Sequence, residues 1–249
     1  MHRWNKQIQL GALLALCLAL ATPFATAQNN PQTVLWAGIA FRGTVSDTQE
    51  LLPVTKSVVD DVGLVRLNEM AWDGFQRVTR DDIRFSRSLG EATSGNAIAL
   101  ALALDFEQFG ESVVTTADES NVCGRNRLWA QILVFDFTDK KLIGAFPLSA
   151  VSQHCERGLA AIPDAQKAVL AQELLMGGTS GSLLAKFEQR LQSLQLNSGW
   201  QANIKVTEVS LGKYTKQMLG RSDWSQPAYR RWLAATFAAS LSERQHVPV

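Results

Sequence analysis

Histidine, tyrosine and cysteine are scarce in this chain of 249 residues, which contains three histidines, two tyrosines and three cysteines. Downstream of residue 27 the chain keeps two histidines, His154 and His246, and two cysteines, Cys123 and Cys155. A structural zinc site needs about four Cys or His ligands that lie close together. The sequence therefore predicts no metal centre, and no motif in it indicates a cofactor.

An excess of charge of one sign is also absent, because 24 Lys and Arg residues are balanced by 23 Asp and Glu residues. Binding to nucleic acid usually requires a strongly basic domain or patch. No apolar run after residue 27 is long enough to span a membrane. We therefore expect no nucleic-acid partner and no transmembrane segment in the mature chain.

Residues 1–27 have the pattern of a secretory signal peptide. A basic start precedes an apolar core over residues 8–20, and an A-x-A motif occupies residues 25–27. Cys17 would suggest a lipoprotein, but Leu16 precedes it where a small residue is expected. The pattern predicts a periplasmic or secreted protein that is cleaved near Ala27.

Residues 127–148 predict a β-hairpin, because two runs rich in β-branched and aromatic residues flank a polar break at 138–141. Cys123 and Cys155 are equidistant from this break, so antiparallel pairing would place them opposite each other. In an oxidising compartment we expect them to form a disulfide that closes a loop of roughly 30 residues. The alternatives are that the cysteines stay unpaired or that an insertion breaks the symmetry.

The clearest strand pattern covers residues 97–106, where large apolar residues alternate with alanines. We expect the alanine side to face a closely packed helix. Residues 33–41 and 75–78 are further strand candidates, whereas the charged segment 80–88 reads as an exposed helix or loop. Residues 117–126, which carry Cys123, read as a polar loop.

Four helices are predicted around these strands. The first follows Ser46, which forms a capping-box pattern with Gln49. The second begins near Pro163, the third is capped by Thr179 or Ser180, and the last begins near Pro227. A late strand is expected over residues 202–211.

The fold class that these elements predict is mixed α+β. One mixed sheet of five to six strands carries helices on its faces, and a helix closes the C-terminus. The signal peptide occupies residues 1–27 and the α/β domain residues 28–200. Residues 201–249 add the late strand and the C-terminal helix, packed on the same domain.

The sequence contains two candidate functional sites. Ser180 in the sequence Gly-Thr-Ser-Gly could act in a hydrolase if His154 and an acidic residue converged on it, although the glycine spacing differs from a nucleophile elbow. A groove lined by tryptophans could bind a ligand, and its candidate residues are Trp72, Trp129, Trp224 and Trp232. Structural roles for all of these residues are the alternative.

The order of elements resembles a group of small periplasmic α/β domains. A buried strand ending in Ala40-Phe41 precedes a helix, a long apolar strand and the hairpin sequence I-L-V-F-D-F-T-D-K-K-L-I-G. This order is similar to that of the curli-secretion lipoprotein, the outer-membrane activators of penicillin-binding proteins and the amino-terminal domain of TolB. The resemblance covers roughly residues 34–194 and implies binding of partners in envelope assembly without catalysis.

The sequence thus predicts an exported, non-enzymatic accessory protein that binds another envelope or periplasmic protein. Two alternatives stay open: an exported hydrolase with a site that the sequence does not reveal, and a carrier of small ligands.

Overall fold

A computed structural model of the chain describes residues 31–88, 90, 98–115, 120–136, 141–158, 161–196, 204–220, 225–245 and 248. The predicted signal peptide, Trp224 and His246 lie outside these residues, as do residues 138–140 of the predicted hairpin turn. Across the described ranges, no helix is both long and apolar enough to cross a membrane.

The described strands form one mixed sheet in the order β2-β1-β3-β4-β5, in which β1 runs parallel to β2 and β3, and the other neighbours are antiparallel. This confirms the predicted mixed α+β class. The strands are β1 (Gln32–Phe41), β2 (Ile83–Ser86), β3 (Ile98–Thr115), β4 (Ser120–Asp136) and β5 (Lys141–Arg157). The helices are α1 (Val45–Leu51), α2 (Pro53–Val62), α3 (Leu64–Phe75), α4 (Asp164–Met176), α5 (Leu183–Ser193), α6 (Lys213–Leu219) and α7 (Gln226–Gln245).

The hairpin of β4 and β5 has the register that the sequence predicts. Cys123 lies opposite Cys155, and a disulfide joins them. The expectation of a polar loop around Cys123 was wrong, because β3 continues to Thr115 and β4 starts at Ser120. Each strand of this antiparallel pair gives the other backbone hydrogen-bond partners, which a separate loop would lack.

The alternation in β3 sorts its side chains between the two faces of the sheet. Leu100, Leu102 and Leu104 are fully buried in the main core, which lies between the sheet and helices α2 to α5. The alanine side faces the opposite way, where Ala99 joins a small cluster with Leu35. Helices α2 to α5 therefore pack on the leucine side, whereas α7 lies over the alanine side, where a helix was expected.

The short strand near residue 80 lies later than predicted. Residue Phe75 ends α3, and the strand is Ile83–Ser86, within the segment that was expected to be a helix or loop. Parallel pairing with β1 and stacking of Phe85 on Phe75, with ring centroids 4.8 Å apart, hold it in the sheet. These tertiary contacts override a local sequence rich in charge.

The start of the first helix is set by Thr44 and not by Ser46. The Thr44 hydroxyl accepts from the Asp47 backbone N–H, and the Asp47 carboxylate accepts from the Thr44 N–H. This capping box lowers the pKa of Asp47, mainly through the bond from the Thr44 backbone. Similarly, Ser182 caps α5 in place of the predicted Thr179 or Ser180.

The C-terminal region adds helices rather than a strand. The described residues 204–212 form no regular secondary structure, although the Ile204 N–H donates to the Pro248 carbonyl. The predicted last helix is confirmed as α7, whose first turn is capped by Ser225 through the Ala228 N–H. Residues of α7 line a cavity together with side chains of β3, β4 and β5, so α7 lies over the face opposite the main core.

A buried carboxylate from β3 caps the N-terminus of α2. Pro53 at the first position of α2 has no N–H, and the side chain of Leu52 cannot accept a hydrogen bond. Glu107 accepts from the Val54 N–H at 2.5 Å, from the Thr55 N–H at 3.0 Å and from the Thr55 hydroxyl at 2.5 Å. One acidic residue from the sheet thereby satisfies donors that the local sequence leaves unpaired.

We predict that Glu107→Gln lowers the free energy of unfolding by about 1–2 kcal/mol, because the amide group places an N–H donor against the donors of α2. Chemical denaturation of the mature wild type and the variant measures this change. Gln108→Glu, on the neighbouring position of the same strand, serves as a control for a conservative change in β3. A loss below about 0.3 kcal/mol for Glu107→Gln would contradict the capping role.

Glu107 is also expected to make the free energy of unfolding depend on pH. Burial raises the pKa of Glu107, and the hydrogen bonds from Thr55 and Val54 offset part of that effect. The folded protein therefore binds this proton more tightly than the unfolded chain, so ionisation of Glu107 removes stability as pH rises from the ordinary carboxyl range to the raised pKa. The stability difference between wild type and Glu107→Gln should shrink as pH rises above the ordinary carboxyl range. A difference that grows with pH would show that the pKa is lowered.

Candidate binding groove

A groove of about 880 Å³ lies between α3 and α5 and is closed at one end by the segment 177–182. We call it the α3–α5 groove. Gly177 ends α4 and Ser182 starts α5, so the connection between them is short and runs along the rim. The residues that matter for its chemistry are Arg66, Met70, Arg77, Met176, Ser180, Leu184, Phe187 and Glu188.

The floor of the groove is part of an aromatic cluster. Phe187 is buried and its ring centroid lies 5.5 Å from that of Phe75 and 5.7 Å from that of Trp36. Phe75 in turn contacts Trp36 edge to face at 4.8 Å. Aromatic pairs at these distances are well packed, so the floor is a preformed surface.

A bidentate ion pair crosses the groove and joins α3 to α5. Arg77 donates from Nε to Glu188 Oε1 at 3.1 Å and from Nη2 to Oε2 at 2.7 Å. The hydrogen bonds to Glu188 raise the pKa of Arg77, which stays protonated. A Cβ atom at Gly74 would lie 3.4 Å from Glu188 Oε2, so this position of α3 leaves room for the carboxylate.

Two methionines connect this groove to a second hollow of about 520 Å³. Met70 and Met176 line both spaces, together with Arg66 and Gly177. The second hollow is bordered by Val169 of α4, whose side chain is 46% exposed. The two hollows therefore adjoin each other across α3, α4 and α5, with the two methionines at their shared border and charged residues around them.

The three described tryptophans of the predicted groove have different surroundings. Trp72 contacts Phe75, and the guanidinium of Arg87 lies 4.7 Å from its ring. Trp129 is buried and stacks on Phe106 at 4.2 Å. Trp232 lies against Tyr229, while Trp224 is outside the described residues. Their ring partners differ, and a groove shared by all four tryptophans stays a prediction.

The hydrolase interpretation required Ser180, His154 and an acid to converge. Ser180 lies exposed on the rim of the α3–α5 groove, whereas His154 lies in β5, where its Nε2 is 2.9 Å from Glu156 Oε1. No hydrogen bond between described residues joins Ser180 to His154. Across the same ranges, no group of three His, Cys, Asp or Glu residues is placed to hold a metal ion.

The acidic residues Asp105 and Glu107 also go to separate partners. A bulge between Leu104 and Phe106 shifts the register, so Asp105 pairs with Arg42 and Gln131 on the far face while Glu107 caps α2.

Sequence reasoning did not identify the residues of the α3–α5 groove. Only the helical spacing of Met70 and Asp73 in α3, continued by Arg77 just after its end, could have suggested that they share a surface.

Comparisons with known proteins establish no family. No family model matches the chain, and no curated protein matches it. A solved structure from Helicobacter pylori, described as a neuraminyllactose-binding hemagglutinin homolog, is 10% identical with a TM-score of 0.35; the match covers 66% of this chain and 87% of that one.

Two further solved structures are bacterial lipoproteins. A minor lipoprotein from Acinetobacter baumannii is 10% identical, with a TM-score of 0.26 and coverage of 66% of this chain and 88% of that one. Rare lipoprotein B from Shewanella oneidensis is 13% identical, with a TM-score of 0.23 and coverage of 65% and 92%. Similarity at this level shows neither family nor function.

Proposed function

We propose that this protein is an exported accessory factor of the cell envelope that binds an amphipathic segment of another exported protein in the α3–α5 groove. The observation that carries the proposal is the pair of adjoining hollows across α3, α4 and α5, with methionines at their shared border and charged residues around them. The predicted export signal of residues 1–27 and the disulfide support the compartment.

The chemistry of the centre suits a helix-in-groove mode of binding. Methionine side chains are unbranched and polarisable, so Met70 and Met176 can adapt to apolar side chains of different shapes. The buried ring of Phe187 beneath them gives a rigid floor. An amphipathic helix that presents apolar residues at spacings of three and four would fill such a surface.

The borders add a preference for charge. Arg77 and Glu188 already neutralise each other in a bidentate pair. Arg66, in contrast, is 67% exposed and lies 3.9 Å from Glu69, a distance at which an exposed pair contributes little. Asp73 and Glu173 are acids of the same surface. Arg66 is the lining cation that no bidentate pair holds, and we expect an acidic residue of the bound segment next to it.

Site-specific photocrosslinking in the intact envelope tests this function. A benzophenone amino acid at Val169, beside the two methionines, should give one dominant adduct that survives stringent washing and that mass spectrometry identifies. The matched control carries the same amino acid at Tyr214 of α6, which is 80% exposed and does not line the groove. Equal adducts from both positions, or none from Val169, would refute binding in the groove.

We further predict that Arg66→Glu reduces the Val169 adduct several-fold, since reversal of an exposed charge at an interface typically slows association with an acidic partner. Arg230→Glu, which reverses an exposed charge on α7, should leave the adduct unchanged. Quantitative mass spectrometry of the adduct gives the ratio. An equal loss in both variants would indicate a general effect of net charge.

A further inference from the structure

A separate cavity, of about 540 Å³, lies beneath α7, on the face of the sheet opposite the α3–α5 groove. Residues of β3, β4 and β5 form one wall, and α7 forms the other. The segment 204–206 borders the opening. We call this space the α7 cavity; its described lining residues that enter the argument are Arg42, Asp105, Lys205, Arg231, Ala234, Ala235 and Ala238.

Small residues of α7 create the space. Ala234, Ala235 and Ala238 face the sheet, where longer side chains would fill the volume. Leu51 and Leu142 add apolar surface on the other walls. The cavity therefore offers a largely aliphatic interior that is wide enough for a short hydrocarbon chain.

The polar groups of the cavity carry an excess of positive charge. Arg42, Lys205 and Arg231 are cations, whereas Asp105 is the single acid among the described lining residues. One oxygen of Asp105 accepts from both Arg42, at 2.9 Å, and Gln131, at 3.1 Å. The lining residues thus carry two more positive than negative charges, and an excess of one remains when Asp47, the partner of Arg231, is counted.

Within the described part of the chain, the two arginines have N–H donors left for a ligand. Arg42 uses Nη1 towards Asp105, and Arg231 uses Nη1 towards Asp47 at 3.2 Å, while a guanidinium has five N–H donors in all. Their side chains are 56% and 55% exposed, so both reach the opening of the cavity. A carboxylate or phosphate at this opening would receive charge-assisted hydrogen bonds from a planar donor.

We propose that the α7 cavity binds a small amphipathic anion: an aliphatic chain lies against the alanines of α7, and an anionic head group lies between Arg42, Lys205 and Arg231. This site is separate from the α3–α5 groove and does not depend on the function proposed for it. A fatty acid or another single-chain anionic lipid has the required chemistry.

Isothermal titration of the mature protein with octanoate tests the site, with octan-1-ol as the uncharged probe of equal chain length. Octanoate should bind at one site, and octanol should bind at least about tenfold more weakly, because it cannot accept the charge-assisted bonds. Equal affinity for the two probes, or no binding heat up to about 10 mM octanoate, would overturn the proposal.

Three variants test the contribution of the arginine charge and that of the cavity volume separately. Arg231→Gln should weaken octanoate about tenfold, while Arg230→Gln, which changes the neighbouring exposed arginine, should bind like wild type. Ala235→Leu keeps every charge and should also weaken octanoate at least about tenfold by filling the cavity. Far-ultraviolet circular dichroism shows whether α7 is retained in each variant. Unchanged affinity in both Arg231→Gln and Ala235→Leu would place the ligand elsewhere and refute the site.

Discussion

Phe187→Ala is expected to lower the free energy of unfolding by about 3–5 kcal/mol, the largest effect that we predict for a single substitution. Phe187 is 1% exposed, and its ring packs against the rings of both Trp36 and Phe75. Truncation removes the transfer free energy of the ring and leaves a void, which the surrounding sheet and helices can close only in part. The loss of aromatic contacts adds to this cost.

Denaturant unfolding of the mature chain, followed by tryptophan fluorescence and circular dichroism, measures the effect. Phe237→Ala is the matched control, because Phe237 is 62% exposed on α7 and its truncation should cost less than about 0.5 kcal/mol. Phe187→Leu should fall between the two, since it fills part of the void. A loss below about 1 kcal/mol for Phe187→Ala would mean that this cluster does not form the rigid floor of the α3–α5 groove.

The second large effect is expected from removal of the disulfide. The variant in which Cys123 and Cys155 are both serine should lose about 3–4 kcal/mol, because the bridge closes a loop with a sequence separation of 32 and restricts the unfolded chain. Its two cysteines lie directly opposite each other in β4 and β5, so the folded hairpin needs no rearrangement to accommodate the bond.

The measurement compares the oxidised wild type, the reduced wild type and the double variant under the same denaturant series. The reduced protein and the variant should agree within about 1 kcal/mol, since both lack the cross-link and differ only in thiol against hydroxyl. Intact mass of the oxidised protein should be two hydrogens below that of the reduced form. If the oxidised and reduced proteins unfold at the same denaturant concentration, the disulfide adds no stability and the entropic argument is wrong.

The α3–α5 groove and the α7 cavity lie on opposite faces of the sheet, so their tests are independent. Arg66→Glu acts on the first and Arg231→Gln on the second, and Arg230 supplies a control for each. A ligand in the α7 cavity would leave the Val169 adduct unchanged unless the sheet transmits a signal between its faces. Measuring that adduct with and without octanoate would reveal such coupling.

Local patterns in the sequence were sufficient for the hairpin, for the long alternating strand and for the last helix. Each of these depends on a short-range rule: alternation over residues 97–106, symmetry of Cys123 and Cys155 about a turn, and helix-compatible spacing after Ser225. Their backbone partners or buried faces are largely fixed by residues near them in the chain. The mixed α+β class followed from their order.

Contacts between distant segments decided the rest. Residues 83–86 form a strand because β1 pairs with them, and Glu107 caps a helix that begins more than fifty residues earlier. Neither partner is visible in a local window. The bulge at Asp105 is likewise not visible in a local window of sequence. It leaves the Asp105 carboxylate facing Arg42 and directs Glu107 to the other face of the sheet.

Contacts between distant segments also decided which residues form the candidate sites. The sequence by itself determined the composition that makes a Cys or His metal site improbable, the export signal pattern and the pairing of the two cysteines. Only the tertiary structure brought Met70 and Met176 to one surface, paired Arg77 with Glu188 and placed α7 over Asp105. A binding surface made of side chains from several elements has no period and no motif, because its geometry exists only after those elements pack against one another.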